Sequence, residues 1–207
     1  MDVAQAIAKR RTVRAFGQEP VNEATLASLV EAARCAPSAA NLQPLEYVAV
    51  NDPALCQEIF DCLKWAAYTH PVGTPGPGQR PTAYLVACVR VEYKAVVGSA
   101  YDLGAALMSA MLLAVQEGLA SCWLKSINAP RLTELLSVPA GLEVDSVLAL
   151  GRPAEEPATV DLAKGQTGRE VIRYWRDQNG RQVVPKRPLA SILHWQRHGG
   201  PGAPGQA

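Results

Sequence analysis

The feature that most constrains the fold is the apolar stretch from Asp102 to Ala120, which reads DLGAALMSAMLLAVQEGLA. Charged side chains occur in it only at Asp102 and Glu117, so a helix formed by this stretch is apolar on nearly every side. The stretch is too short to span a bilayer comfortably, and it predicts a buried helix near 100–117 that ends at Gly118. Because such a helix has more apolar surface than one small sheet can cover, we expect a second copy of the chain against it.

Shorter helices and strands alternate on both sides of this helix. Helical spacing predicts helices that begin near Val3, after Asn22, at Asp52-Pro53 and after Asn128. Strands are predicted at 45–50, 82–91, 120–126 and 145–151. This order of elements predicts an α+β fold, in which a central mixed β-sheet is flanked by helices.

The domain organisation follows from length and from the positions of proline and glycine. The 207 residues suffice for one large core, and we assign a single domain to residues 1–198. Prolines and glycines interrupt residues 70–81 too often for regular structure, and the role of this loop is left open. Asn179-Gly180 predicts a hairpin turn, and the small residues of 199–207 predict a disordered tail.

Charge and cysteine content exclude several classes of function. The net charge is +1, so no global field favours a nucleic acid or an anionic membrane as partner. No signal peptide is expected from the first residues, and five scattered cysteines without a CxxC motif indicate reduced thiols in a cytoplasmic protein. Cys35, on the second helix, is expected to be a small core residue. With three histidines and no HExxH motif, no metal site is expected.

Two short segments carry the candidate chemistry. Arg10, Arg11 and Arg14 surround Thr12 directly after the first helix. Guanidinium groups match the geometry of a phosphate, although charges near a helix end are also common on solvated surfaces. The segment 37–41, Pro-Ser-Ala-Ala-Asn, has small side chains that would let backbone groups approach a flat ligand, or it is a polar connection.

These segments belong to a longer series of motifs. In chain order the series is RRTVRAF, AARCAPSAANLQP, GLASCWLKS, LLSVPAGLEVDSVLALGRPAEEP and VPKRPLASILHW. The series resembles the nitroreductase family of FMN-dependent oxidoreductases over almost the whole chain. The resemblance implies a nitroreductase-like fold, a homodimer that exchanges its C-terminal extension, and FMN bound at the dimer interface.

The resemblance also implies a set of FMN contacts, namely Arg10, Arg11, Thr12, Arg14, Pro37, Ser38, Ala39, Asn41, Leu124, Lys125, Ser126, Lys186 and Arg187. The phosphate and ribityl end would be held by Arg10, Arg11 and Thr12 together with the basic pair at 186–187. Arg14 would approach the pyrimidine edge of the flavin. The segment 37–39 would line the ring, and 124–126 would present backbone groups to its reactive edge.

Some positions of the implied site remain open. Asn41 is as compatible with a structural loop cap as with a ligand. Lys125 departs from the family pattern, and we expect its charge to raise the flavin potential or to favour an acidic substrate. A further ring contact before the second strand is expected in Gln79-Arg80 or near Trp65–Tyr68.

The implied function is FMN-dependent oxidoreduction. NAD(P)H would pass a hydride in a ping-pong reaction to a nitroaromatic, a quinone or a similar small oxidant. No catalytic side chain is required, because the flavin N5 carries the hydride. The alternatives are a flavin-dependent dehydrogenase or dehalogenase of the same fold, or a non-catalytic FMN-binding protein. The physiological substrate, the choice between NADH and NADPH and the oxygen sensitivity are left open.

Overall fold

The computed structural model describes residues 1–94 and 99–200. The chain forms two compact units, Met1–Glu155 and Glu156–Ala207. The single domain assigned to residues 1–198 stays a prediction. The predicted disordered tail lies, from residue 201 onward, outside the described residues.

The described part of the first unit has six α-helices, and all except the short helix at Val91–Lys94 begin near the residues that the sequence predicts. They are α1 (Val3–Lys9), α2 (Glu23–Arg34), α3 (Pro53–Asp61), α4 (Val91–Lys94), α5 (Ser99–Gln116) and α6 (Ala129–Leu135). The side chains of Asn22 and Asp52 accept hydrogen bonds from backbone N–H groups in the first turns of α2 and α3, as expected for N-caps. Gly118 follows α5 at a φ of 71°, a left-handed conformation that glycine adopts without strain.

The strands of the first unit are β1 (Leu45–Val50), β2 (Ala83–Arg90), β3 (Ala120–Leu124) and β4 (Leu142–Gly151). They form one sheet in the order β1-β2-β4-β3, and each neighbouring pair is antiparallel. Thr12 adds a parallel bridge to Ser121 of β3, so the sheet together with the N-terminal segment is mixed, as predicted.

The bounds of three strands differ from the predicted ones. β2 covers Ala83–Arg90 rather than 82–91, since Val91 begins α4. β3 ends at Leu124 rather than at residue 126, because the Ser126 carbonyl accepts a hydrogen bond from the N–H of Lys64. β4 begins at Leu142 rather than at residue 145, because its first residues pair with the end of β2 as far as Arg90.

The sheet separates two layers of core. Tyr84 and Val86 of β2 point towards α3 and α6, whereas Leu85 of the same strand packs with α2 and α5. Among the described residues, α5 is the helix whose length and composition would let it cross a membrane. It packs against α1, α2 and β3, which confirms the prediction of a buried helix, but Tyr101 and Met108 on its outer side stay 80% and 42% exposed.

The second unit contains a small sheet of three strands. They are β5 (Ala158–Asp161), β6 (Trp175–Arg176) and β7 (Gln182–Lys186), in the order β5-β7-β6. β6 and β7 form an antiparallel hairpin whose turn includes Gly180 at a φ of 74°. The hairpin turn predicted at Asn179-Gly180 is therefore confirmed.

Candidate functional site

The N-terminal arginine segment is held against the edge strand β3. α1 ends at Lys9, and the N–H of Arg10 still donates to the carbonyl of Ala6 at 2.9 Å. Beyond it the chain extends, and the N–H of Val13 donates to the carbonyl of Ser121 at 3.1 Å. This pairing places residues 10–13 alongside β3, at one side of the sheet.

Arg10 and Arg11 form a pair of half-buried cations in this segment. Nη1 of Arg11 donates to the carbonyl of Arg10 at 2.7 Å. Burial, and next the charge of Arg11, lower the pKa of Arg10. Within the described part of the first unit, no carboxylate lies within 4.0 Å of either guanidinium. Two partly desolvated cations without a counter-ion are an unfavourable arrangement that an anionic ligand would relieve.

Arg14 is fixed from two sides. Its backbone N–H donates a 2.6 Å hydrogen bond to Oε1 of Glu155, which follows β4. Its guanidinium interacts with the thiol of Cys122, on β3. Burial raises the pKa of Cys122 to about 11, and the charge of Arg14 acts in the opposite direction. The cation of Arg14 is therefore held beside the same strand as Thr12.

The segment 37–41 forms a tight loop of unusual backbone conformation. Ala40, Asn41 and Gln43 have φ values of 48°, 55° and 48°. Oγ of Ser38 accepts from the N–H of Gln43 at 3.0 Å, and the N–H of Ala39 donates to the buried carboxylate of Asp102 at 2.9 Å. These bonds fix the loop against α5. The position of Asn41 within the turn suits the loop-cap alternative, and its ligand role stays a prediction.

A cavity of about 290 Å³ lies behind this loop, between α2 and α5. Its wall includes Pro37, Ser38, Tyr47 and Asp102. The hydroxyl of Tyr47 is buried and has no hydrogen-bond partner in the described part of the chain. Burial raises the pKa of Tyr47 to about 12, so the hydroxyl stays protonated and available as a donor at neutral pH.

The end of β3 is positioned by its backbone. The Ser126 carbonyl accepts a hydrogen bond from the N–H of Lys64 at 2.9 Å. The N–H of Asn128 donates a second hydrogen bond to the carbonyl of Cys62 at 2.8 Å. The Lys125 side chain is 69% exposed, forms an ion pair with Asp145 and donates to the Asp145 carbonyl at 3.1 Å. The charge of Lys125 is thus paired on the surface, which reduces the electrostatic effect expected from the sequence.

Lys186 and Arg187 belong to the second unit. Lys186 ends β7, and its carbonyl accepts from the N–H of Leu162 at 2.8 Å. Nη2 of Arg187 donates to the carbonyl of Ser191 at 2.7 Å. Their predicted return to the phosphate stays a prediction.

Sequence reasoning missed three groups of contacts and misplaced one residue. Glu155 and Asp102 support the predicted site from distant positions, and no local pattern marks them. His194 and His198 lie with ring centroids 4.4 Å from each other. Their separation of four residues is the only sign of this contact in the sequence. Cys35 is exposed, so its predicted core position was wrong, because it caps the C-terminal end of α2 rather than continuing the buried face.

The comparison with known protein families decides the assignment. The family model described as the nitroreductase family matches residues 7–74 and 75–152. The chain belongs to the nitroreductase family. This family of oxidoreductase enzymes includes relatives named NADH dehydrogenase and FMN reductase.

Individual nitroreductase relatives match most of this chain and most of their own length. The NADH dehydrogenase of Thermus thermophilus is 31% identical over 186 residues, which cover 75% of this chain and 89% of that protein. A solved nitroreductase family protein from Clostridium novyi superimposes with a TM-score of 0.63 at 25% identity, over 74% of this chain and 86% of its own. A Desulfovibrio desulfuricans structure, described as a nitroreductase in complex with FMN, has a TM-score of 0.59 at 26% identity, over 82% and 91% of the two chains.

Proposed function

We propose that the protein is an FMN-dependent NAD(P)H oxidoreductase. The observation that carries this proposal is the pair of half-buried guanidinium groups at Arg10 and Arg11, which has no carboxylate partner in the described first unit. Guanidinium forks match the geometry of a phosphate, which can accept hydrogen bonds from both side chains. The chain's membership of the nitroreductase family, and the FMN complex of one relative, agree with FMN as the source of that phosphate.

The residues of the first unit fit the rest of the cofactor by their chemistry. Arg10 and Arg11 would bind the phosphate, with the hydroxyl of Thr12 as an additional donor. Arg14, held by Glu155, would place a cation at the pyrimidine edge, where negative charge accumulates on reduction. The loop 37–41 would line the ring with small side chains, and the backbone of 124–126 would face its reactive edge.

When bound, FMN supplies hydride chemistry that no side chain of the protein provides. The protein's own contribution is to bind the phosphate, to orient the ring and to stabilise negative charge. NAD(P)H is the proposed electron donor, and a nitroaromatic, a quinone or a similar small molecule the proposed oxidant, in ping-pong order. The five free cysteines are consistent with the proposed cytoplasmic location.

We further infer a homodimer with the cofactor between subunits and the C-terminal extension exchanged. Val3 and Ile7 of α1 are 70% and 57% exposed, and Tyr101 and Met108 of α5 are exposed as well. α1 packs against α5, so these apolar side chains belong to neighbouring helices of one surface. A second copy of the chain would cover this surface.

An absorbance spectrum of the purified protein, followed by anaerobic mixing with NADH or NADPH, tests the proposal. We expect flavin absorbance that is bleached rapidly by one or both donors and recovers when a nitroaromatic or a quinone is added. Bound flavin that remains oxidised would indicate a non-catalytic FMN-binding protein. Colourless protein that does not bind added FMN would contradict the proposal itself.

A further inference from the structure

A second cavity lies at the end of the sheet where β1 ends and β2 begins. Its volume is about 450 Å³. Four prolines form much of its wall, namely Pro20, Pro53, Pro77 and Pro81, and the side chains of Gln57 and Arg80 also contact it. The FMN contacts placed at residues 10–14, 37–41 and 124–126 do not line this cavity, whereas Arg80 is one of the two places where the sequence leaves a further ring contact open.

Arg80 supplies the one formal positive charge among the residues that line the cavity. The guanidinium is half-buried, and its carbon lies 4.1 Å from the centre of the Phe60 ring. Nη1 donates to Oε1 of Gln57, which is a neutral partner. Nε is buried and has no hydrogen-bond partner within residues 1–94 and 99–200. Stacking on Phe60 therefore fixes the plane of the guanidinium while leaving donors of its fork unused.

The acidic side chains at the two ends of α3 are engaged elsewhere. Asp61 is connected to Arg80 through the side-chain amide of Gln57, whose Nε2 donates to Asp61 Oδ1 at 3.1 Å. Asp52 accepts from the N–H of Leu55 at 2.8 Å as the N-cap of α3. Within the described first unit no carboxylate lies within 4.0 Å of the Arg80 guanidinium. A partly desolvated arginine beside an open cavity is thus left without a counter-ion.

A second polar group, which interacts electrostatically with Arg80, is also unsatisfied. The hydroxyl of Tyr84 is fully buried on β2 and makes no hydrogen bond to any residue that the structure describes. Burial raises the pKa of Tyr84, and the charge of Arg80 opposes that effect, so the two groups are close enough to interact. Buried polar groups without partners are uncommon in native proteins. Arg80 lines the cavity and Tyr84 does not, so Arg80 is the group that a polar occupant would satisfy.

The size and the wall of the cavity limit what that occupant is. Small-molecule sites typically measure about 300–1,000 Å³, and a water molecule takes up only about 30 Å³, so an inorganic anion would leave most of the cavity empty. Proline rings provide a rigid apolar surface, whereas the arginine fork matches a carboxylate. An apolar body with one carboxylate satisfies both parts of the wall.

We propose that this cavity is a second binding site, for a small organic carboxylate whose anionic group pairs with Arg80. The site is separate from the proposed FMN contacts and goes beyond the proposed oxidoreductase function. Its presence therefore does not depend on whether that function is correct.

Titration of the FMN-loaded protein with benzoate, followed by the amide resonances of Gly78 and Thr82, tests the proposal. Both residues line the cavity, so their shifts report binding there, whereas the flavin absorbance reports any benzoate that stacks on the cofactor. We expect saturable shifts with benzoate and at least about tenfold weaker binding of benzamide, which has the same ring without the charge.

Arg80→Gln should weaken the benzoate-dependent shifts about tenfold or more. FMN affinity measured on the same variant distinguishes this site from the open ring contact at Gln79-Arg80, and we expect it to stay the same. The matched control is Arg90→Gln, which removes an exposed arginine paired with Glu46. If Arg80→Gln does not fold, the comparison of benzoate with benzamide on the native chain decides. The proposal is overturned if benzamide binds equally well, if the Gly78 and Thr82 resonances do not respond, or if Arg80→Gln loses FMN instead of benzoate.

Discussion

The backbone N–H of Arg14 donates a 2.6 Å hydrogen bond to Oε1 of Glu155, a residue 141 positions further along the chain. This bond joins the N-terminal segment to the residue at which the first unit ends. The bond fixes the backbone of Arg14, and the Arg14 guanidinium interacts with Cys122 of β3.

Replacement of Glu155 by alanine should therefore destabilise the first unit. The substitution leaves a partly buried N–H without its acceptor, and we expect the free energy of unfolding to fall by about 1–3 kcal/mol. Urea denaturation measures this change. Glu155→Gln keeps an oxygen acceptor and should cost less, while Glu156→Ala, at an exposed neighbouring position, serves as the control. Equal stability of Glu155→Ala and Glu156→Ala would contradict the role of this bond.

Neutralising Arg10 or Arg11 should weaken FMN binding. Hydrogen bonds to charged groups contribute about 1.5–3 kcal/mol, so Arg10→Gln or Arg11→Gln should raise the Kd for FMN by about 10- to 100-fold. Quenching of flavin fluorescence during titration measures the Kd. Because removal of a half-buried, uncompensated cation relieves desolvation, neither variant should lose stability without FMN. The result would count against a phosphate site if FMN affinity stayed the same as in Arg90→Gln.

Lys125 should have only a small effect on the flavin potential. Its charge is exposed and paired with Asp145, and in water a unit charge acts on another charge at about 4 Å with only about 1 kcal/mol. With about 30 mV corresponding to about 1.4 kcal/mol for two electrons, Lys125→Ala should lower the midpoint potential by less than about 20 mV. Spectroelectrochemistry of the bound flavin measures it. A larger shift, or a changed preference for acidic oxidants, would support the stronger effect of the Lys125 charge that the sequence predicts.

A charge on the exposed side of α5 should disrupt the proposed dimer. Met108 is 42% exposed on the apolar surface formed by α1 and α5, and Met108→Glu would require burial of a carboxylate at the interface. Sedimentation should show a monomer with reduced FMN affinity. Val72→Glu, at a position 72% exposed in the loop 70–81, is the matched control and should remain dimeric. A native chain that is monomeric with FMN bound would exclude the dimer.

Stability should fall as the pH rises from about 9 to about 11. Burial raises the pKa of Cys56, Cys88 and Cys122 from 9.0 to about 11 in each case. The unfolded chain therefore releases these protons at lower pH than the folded chain, and deprotonation favours unfolding. The buried tyrosines, whose pKa values burial also raises, act in the same direction. Urea denaturation at several pH values measures the slope, which Cys88→Ala should flatten and Cys35→Ser, at an exposed position, should not.

Local chemistry allowed much of the fold to be predicted from the sequence. Asn22 and Asp52 precede helical periodicity, and a side chain that accepts from the first turn acts within a few residues. Gly118 likewise marks the end of α5, since the left-handed backbone there suits glycine. The hairpin at Asn179-Gly180 follows from the same kind of short-range preference.

The parts that were not predicted depend on contacts between distant residues. Glu155 contacts Arg14 across 141 positions, and Asp102 accepts from Ala39 across 63. Neither acid stands out in its own neighbourhood of the sequence. The pairing of Lys125 with Asp145 depends on strand order in the same way, because the two residues become neighbours only when β3 and β4 pair.

The bridge between Thr12 and Ser121 has a consequence for folding as well as for ligand binding. β3 is the last strand of its sheet, and its sequence, Ala-Ser-Cys-Trp-Leu, is short, uncharged and largely apolar. A strand of this kind, left uncovered, is a template on which other chains aggregate. The N-terminal arginine segment covers part of that edge, so truncation before Val13 should lower solubility even in protein that has never bound a ligand.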